Sequence, residues 1–144
     1  MILDALAVFA DAQSGTTSVA STDIIDTLAA GNSYEGCWFV FRVDTAFTQI
    51  NTASRATIQL QTSSDSAWGG DGYTLVASVA FTTAQLAANK MWAVRIPAGT
   101  KRYIRGYKSV SGTDANNAFS GGAWDMFIVK DFDVEINRRY MIPC

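Results

Sequence analysis

The sequence predicts an all-β protein, a jelly-roll-like antiparallel β-sandwich of about eight strands with one short helix, and three observations carry that expectation. Apolar and polar residues alternate with period two through much of the chain, as strands with one buried face require. Gly, Asn, Asp and Ser, the residues suited to turns, break the alternation at short intervals. The 144 residues are the length of one domain, with no internal repeat and no linker, so residues 1–130 are expected to share one core.

The elements follow in order. Residues 2–9 and 18–28 are weak strand candidates, each interrupted by aspartates. Residues 37–43 put Cys37, Phe39, Phe41 and Val43 on one face and Trp38 and Val40 on the other, which predicts a central strand covered on both sides. In residues 55–63, Ala56, Ile58, Leu60 and Thr62 oppose Thr57, Gln59, Gln61 and Ser63, a strand with one wet side. Residues 73–81 align Tyr73, Leu75, Ala77, Val79 and Phe81, and residues 92–96 align Trp92, Val94 and Ile96. Thr82 to Asn89 reads as the short helix. Residues 102–110 set Ile104 and Val110 against Tyr103, Arg105 and Tyr107, and a last strand runs through Trp124, Met126 and Ile128. Turns are expected at Gly69 to Gly72 and Pro97 to Gly99, with a longer loop from Gly112 to Gly122.

The end of the chain departs from this pattern. Residues 131–144 are acidic first (Asp131, Asp133, Glu135), then basic (Arg138, Arg139), then apolar (Tyr140, Met141, Ile142). Such an arm either folds back on its own sheet or docks on a neighbouring subunit, since arms add interface area without enlarging a core.

Composition narrows the function. Charged residues make up 17% of the chain, below the usual share of about 25%. Small polar side chains must therefore cover much of the surface, which suits a molecule covered by neighbours. A net charge of −2 gives no global field toward nucleic acid. The charges are segregated: Asp4, Asp11, Asp23, Asp26 and Glu35 precede the first base, Arg42, whereas residues 90–108 carry Lys90, Arg95, Lys101, Arg102, Arg105 and Lys108 without an acid. Two readings are open, a solvated strand pair with basic outward positions or a basic surface that meets an acidic one across a subunit contact.

The chain has no histidine, the commonest general base and zinc ligand. Its two cysteines form no disulfide framework: Cys37 reads as a small core residue and Cys144 as a free thiol. Gly69 to Gly72 leads into a strand and not a helix, so it is no phosphate loop. Asp23 with Asp26, and Asp131 with Asp133 and Glu135, have the oxygen ligands calcium takes, but the second set is also what one wet strand face looks like. No apolar stretch approaches the ~20 residues of a membrane helix, and the first residues lack a basic leader, so a soluble protein made without export is expected.

Tyr103, Arg105 and Tyr107, near Lys101, Arg102 and Lys108, have the aromatic and basic character of a platform for single-stranded nucleic acid. Tyr and Arg are equally the anchors of protein interfaces, and that reading suits the acidic chain better. Trp68, in the loop from Asp65 to Gly72, is an anchor for a partner or a sugar, or a cap on the core. With Trp124 it is the basis of an alternative reading, a carbohydrate-binding or tail-adhesin module.

Five ordered blocks carry a resemblance: Met1-Ile-Leu-Asp-Ala-Leu-Ala-Val-Phe-Ala-Asp-Ala-Gln13, Ser21-Thr-Asp-Ile-Ile-Asp26, Val43-Asp-Thr-Ala-Phe47, Leu60-Gln-Thr-Ser-Ser-Asp65 and Arg95-Ile-Pro-Ala-Gly-Thr-Lys-Arg-Tyr-Ile-Arg105. Over roughly residues 1–115 the chain resembles the capsid cement, or decoration, proteins of short-tailed bacteriophages. Residues 123–144 do not match that pattern with assurance. The resemblance implies a jelly-roll subunit on the outer surface of a virion, made in the host cytoplasm, that clamps the major capsid protein as a homodimer or homotrimer. It implies no enzyme activity, cofactor, metal, nucleic acid, membrane or small-molecule substrate. The interface residues expected on this reading are Ile2, Leu3 and Asp4 at the start, Arg95, Lys101, Arg102, Tyr103, Arg105 and Tyr107 in the basic band, and Arg138, Arg139 and Tyr140 in the arm.

Overall fold

In the computed structural model, which describes residues 7–31, 34–50, 53–69, 72–111 and 119–130, the alternating segments form nine strands. They are β1 (Val8–Ser14), β2 (Val19–Ala20), β3 (Ile25–Asp26), β4 (Trp38–Gln49), β5 (Arg55–Ser63), β6 (Thr74–Thr82), β7 (Met91–Arg95), β8 (Tyr103–Ser111) and β9 (Phe119–Val129). One sheet has the order β1-β9-β4-β7, the other β2-β8-β5-β6, with β3 also paired to β8. Every ladder between them is antiparallel.

β2 and β3 are one interrupted strand. Val19 lies opposite Lys108 and Ile25 opposite Ile104, four residues further along the same edge of β8. Between them Ser21 replaces the ladder: its amide donates to the Gly106 carbonyl at 2.9 Å and its Oγ accepts from the Gly106 amide at 3.1 Å. Counted this way, eight strands remain, and the chain changes sheet at every connection except the one from β5 to β6. That is the jelly roll, and it agrees with the fold class read from the sequence.

The core lies between the sheets. Phe9, Phe39, Phe41, Trp92, Trp124 and Met126 of the first sheet face Ile58, Leu60, Phe81 and Ile104 of the second. Edge-to-face pairs run from Phe9 to Phe39 (5.9 Å), Phe39 to Trp92 (6.1 Å) and Trp92 to Phe81 (6.1 Å), so one aromatic chain crosses the sandwich. β4, between β9 and β7, is covered on both sides as predicted: Val40 is also fully buried, in a second apolar cluster with Met91, Phe127 and Val129.

Four expectations need correction. Thr82 to Asn89 is not a helix but a 3₁₀ turn, Thr83–Gln85, capped by Thr82 and Gln85. The next residues are drawn into the sheet instead: Leu86 is buried and its carbonyl accepts from the Phe47 amide, while the Asn89 amide donates to Val43. A segment this short cannot repay helix nucleation against those bonds. The loop expected up to Gly122 ends earlier, because β9 begins at Phe119. Tyr73 and Leu75 do not share a face with Ala77, Val79 and Phe81. Leu60 pairs with Ala77 but Gln61 with Leu75, so a bulge at Val76 turns the first part of β6 to the opposite face. Finally, β5 is wet along only part of its outer side, since Gln61 and Ser63 are buried. The strand candidate at residues 2–9 is realised from Val8 onward, its first five residues lying outside the described residues, as do residues 131–144 and Cys144. Cys37 packs, half-buried, against the core.

Candidate interface on the outer face of the second sheet

β8 divides its side chains by parity. Ile104, Gly106, Lys108 and Val110 point inward and are buried, which leaves Tyr103, Arg105 and Tyr107 on the outer face. Beside them on β5 lie Ser63, Gln61 and Gln59, the cross-strand partners of Tyr103, Arg105 and Tyr107. Beyond these, Gln61 faces Leu75 of β6. The bulge at Val76 thus delivers an apolar side chain to this face, where Leu75 and Tyr73 are 47% and 52% exposed.

Arg105 is the centre of the cluster. Its guanidinium stands 4.0 Å from the Trp68 ring centroid and 5.6 Å from that of Tyr107, and its Nε donates to Gln61 Oε1 at 2.9 Å. Gln61 is held in turn by its own Nε2, which donates to Gln59 Oε1 at 2.6 Å. Burial pulls the Arg105 guanidinium below its ordinary pKa, an effect that Tyr107 and Tyr73 beside it oppose. Among the described residues no carboxylate pairs with it.

Trp68 reaches this position through a built turn. Asp65 Oδ1 and Oδ2 accept from the amides of Ala67 and Gly69 at 2.9 and 3.2 Å, and the Trp68 amide donates to the Asp65 carbonyl at 3.2 Å. Trp68 itself takes a left-handed φ of 59°. Its indole is half-buried, and its Nε1–H meets no acceptor among the described residues. Its ring is joined to β5 through Arg105, which stands over it and donates to Gln61.

Arg102 behaves differently from Arg105. Its Nε and Nη2 both donate to Asp26, each at 2.8 Å, and it lies 5.1 Å from the Tyr103 ring. The bond to Arg102 holds the Asp26 carboxyl below its ordinary pKa. The backbone of Lys101 is fixed nearby, its amide donating to Thr62 Oγ1 at 2.8 Å.

The basic band of residues 90–108 is therefore not one surface. β7 and β8 belong to different sheets, so Arg95 projects from the far side of the molecule, 5.1 Å from the Trp38 ring. Lys108 is not solvated: it is fully buried between the sheets, where its Nζ donates to the Gly15 carbonyl and lies 5.4 Å from the Phe47 ring. The structure brings Lys101, Arg102, Tyr103, Arg105 and Tyr107 together and adds Trp68, Tyr73, Leu75 and Gln61. Tyr73 and Leu75 were hidden in the sequence by the bulge, whose trace there is the unbroken apolar triplet Leu75-Val76-Ala77. Ile2, Leu3, Asp4, Arg138, Arg139 and Tyr140 lie outside the described residues. Trp124, the second ring of the carbohydrate reading, is wholly inside the core and can present no face to a sugar.

Fold and face together define a jelly-roll β-sandwich with an arginine-centred aromatic patch on one outer surface. A family model described as Bbp16 matches residues 9–123, most of the chain, and the chain belongs to the Bbp16 family. The family is associated with bacteriophage. No curated protein matches the chain.

Proposed function

We propose that this protein is a non-enzymatic decoration subunit that binds the major capsid protein on the outside of a phage head and stabilises the mature shell. The observation that carries the reading is the Arg105 patch. Trp, Tyr and Arg are the residues that dominate binding energy at protein contacts. Here Trp68, Tyr107 and Tyr73 lie around a guanidinium that no carboxylate among the described residues pairs, with the exposed Leu75 across Gln61 from it. A stacking platform for nucleic acid fits less well, because Arg105 already occupies one face of the Trp68 ring.

Mass action explains what such binding accomplishes. A subunit that binds the assembled shell and not its dissociated parts stabilises each site by RT ln(1 + [L]/Kd). Many weak sites then add up to a resistant head. Before assembly the subunit resides in the host cytoplasm, and in the virion on the outer capsid surface.

The reading includes self-association as a homodimer or homotrimer, and the β6 edge supports it. Three of the four sheet edges are guarded: β1 carries Asp11 and a bulge, β2 and β3 are broken, and β7 is five residues long with Arg95 at its end. β6 is bulged too, at Val76, but its nine residues carry no charge or proline, it is regular from Ala77 to Thr82, and among the described residues no strand pairs with its outer side. An unguarded edge of this kind accepts another strand.

The test is rebinding to capsids stripped of this chain, followed by thermal challenge of the heads. Saturable binding that raises the temperature of head disruption is the expected result. Purified folded protein that leaves stripped capsids unbound and unprotected overturns the proposal.

A further inference from the structure

We infer that Arg105 is the receptor for a carboxylate, an Asp or Glu side chain presented by the protein partner that covers the outer face of the second sheet. The inference rests on the interface reading above and names the chemistry of its partner. Arg42 is joined to Asp125 and Arg102 to Asp26. Arg105 is half-buried and among the described residues makes one hydrogen bond, through Nε to the neutral amide of Gln61. Its terminal nitrogens have no acceptor among the described residues.

The surroundings fix the guanidinium without neutralising it. It stands over the Trp68 ring, 4.0 Å from its centroid, Tyr107 flanks it at 5.6 Å, and Gln61 sets the direction of Nε. This leaves the fork of terminal N–H groups pre-organised, the geometry that binds a carboxylate through two parallel bonds. Among the described residues the carboxylates near this face are already committed, Asp65 to the amides of Ala67 and Gly69 and Asp26 to Arg102. Leu75 and Tyr73, both about half exposed, supply an apolar rim that would exclude water from the new pair. A complementary charge at such a seat sets register as well as affinity.

Two measurements test this. In the first, Arg105→Gln and Arg105→Lys are compared with the parent for binding to stripped capsids, with Lys130→Gln, an exposed cation at the end of β9 in the first sheet, as control. The expected result is at least about a tenfold loss for Arg105→Gln, a smaller loss for Arg105→Lys and little change for the control. Unchanged affinity of Arg105→Gln overturns the inference while leaving the decoration reading intact. The second needs no capsid. The Trp68 indole N–H resonance of the labelled protein is followed as a short oligoglutamate peptide, the matching oligoglutamine and a thymidine oligonucleotide are added. A saturable shift with oligoglutamate alone, lost in Arg105→Gln, supports the inference even if the protein fails to bind capsids. No shift, a shift that survives Arg105→Gln, or a response to the oligonucleotide alone overturns it.

Discussion

Gly122 of β9 packs directly beneath the Phe47 ring of β4. A Cβ placed on Gly122 would stand 2.7 Å from Phe47 Cγ and 2.8 Å from its Cδ1, and the residue has a φ of +133°. Phe47 is also packed edge-to-face with Phe119 at 5.2 Å, so any shift of its ring disturbs a second contact. Two costs therefore coincide at Gly122, a backbone conformation side chains avoid and a clash with a ring packed in the core. Gly122→Ala should lower stability by about 3 kcal/mol, whereas Gly121→Ala, with open space and no unusual φ, should change it by less than about 1 kcal/mol. Urea unfolding of the two variants checks the difference.

Asp125 and Arg42 make a pair with unequal partners. Asp125 Oδ1 accepts from the Ala12 amide at 2.6 Å and Oδ2 from Arg42 Nε at 2.6 Å, and the carboxylate is buried while the Arg42 side chain is 44% exposed. Ala12 sits in the irregular stretch of β1 with a φ of 45°, so Asp125 holds that bulge in place. Removing the arginine strands a buried charge; removing the aspartate frees a cation that water can reach. Arg42→Met should thus cost about 3 kcal/mol at neutral pH, and adding Asp125→Asn should restore about half of it, since the amide oxygen still accepts from Ala12. A double-mutant cycle by chemical denaturation gives the answer.

Particular residues show how much of this was legible in the sequence. The alternation in Ala56, Ile58 and Leu60 placed β5 correctly, because its register against β8 runs unbroken for the whole strand. The same parity put Tyr103, Arg105 and Tyr107 on one outer face, so the heart of the candidate site could be read directly. Lys108 shows a conflict between two signals: its charge argued for solvent, its parity with Ile104 and Val110 for the core. Parity prevailed because Ile104 and Val110 fix the face of every residue between them. Tyr73 and Leu75 were misplaced for a different reason. A bulge answers to sheet curvature and to strands distant in sequence, and three successive apolar residues do not say which of them is the extra one. The segment after Thr82 had helical composition, yet its backbone bonds go to β4, a tertiary preference no local window contains.

The burial of Lys108 has a pH signature. Desolvation lowers its pKa from 10.5 to about 8. In the unfolded chain the amine keeps its ordinary value, so between pH 8 and 10.5 the unfolded state binds more protons than the folded one. Folding stability from this group therefore rises as pH climbs through that window, by up to about 3 kcal/mol. Below pH 8 both states are protonated and the cost of the buried charge is present in full. Lys108→Met should remove this slope, and the parent-minus-variant difference in stability measured at pH 7, 8.5 and 10 isolates the contribution of this one amine. A difference that stays flat from pH 7 to 10 contradicts the assignment.

The uncharged β6 edge makes the last prediction. Ser78 and Ala80 are exposed and lie on the regular part of the strand beyond the bulge, and no charged residue occurs between Asp71 and Lys90. Lysine at these positions leaves the inward residues Ala77, Val79 and Phe81 untouched, so the fold should survive with its thermal midpoint nearly unchanged. In a paired edge the same lysines meet their symmetry mates, and like charges directly opposite one another oppose pairing. Ser78→Lys with Ala80→Lys should convert the parent oligomer to monomer in sedimentation equilibrium. A variant that stays associated at the parent's concentration dependence moves the self-contact to another surface, and a parent that is monomeric under assembly conditions removes self-association from the proposed function.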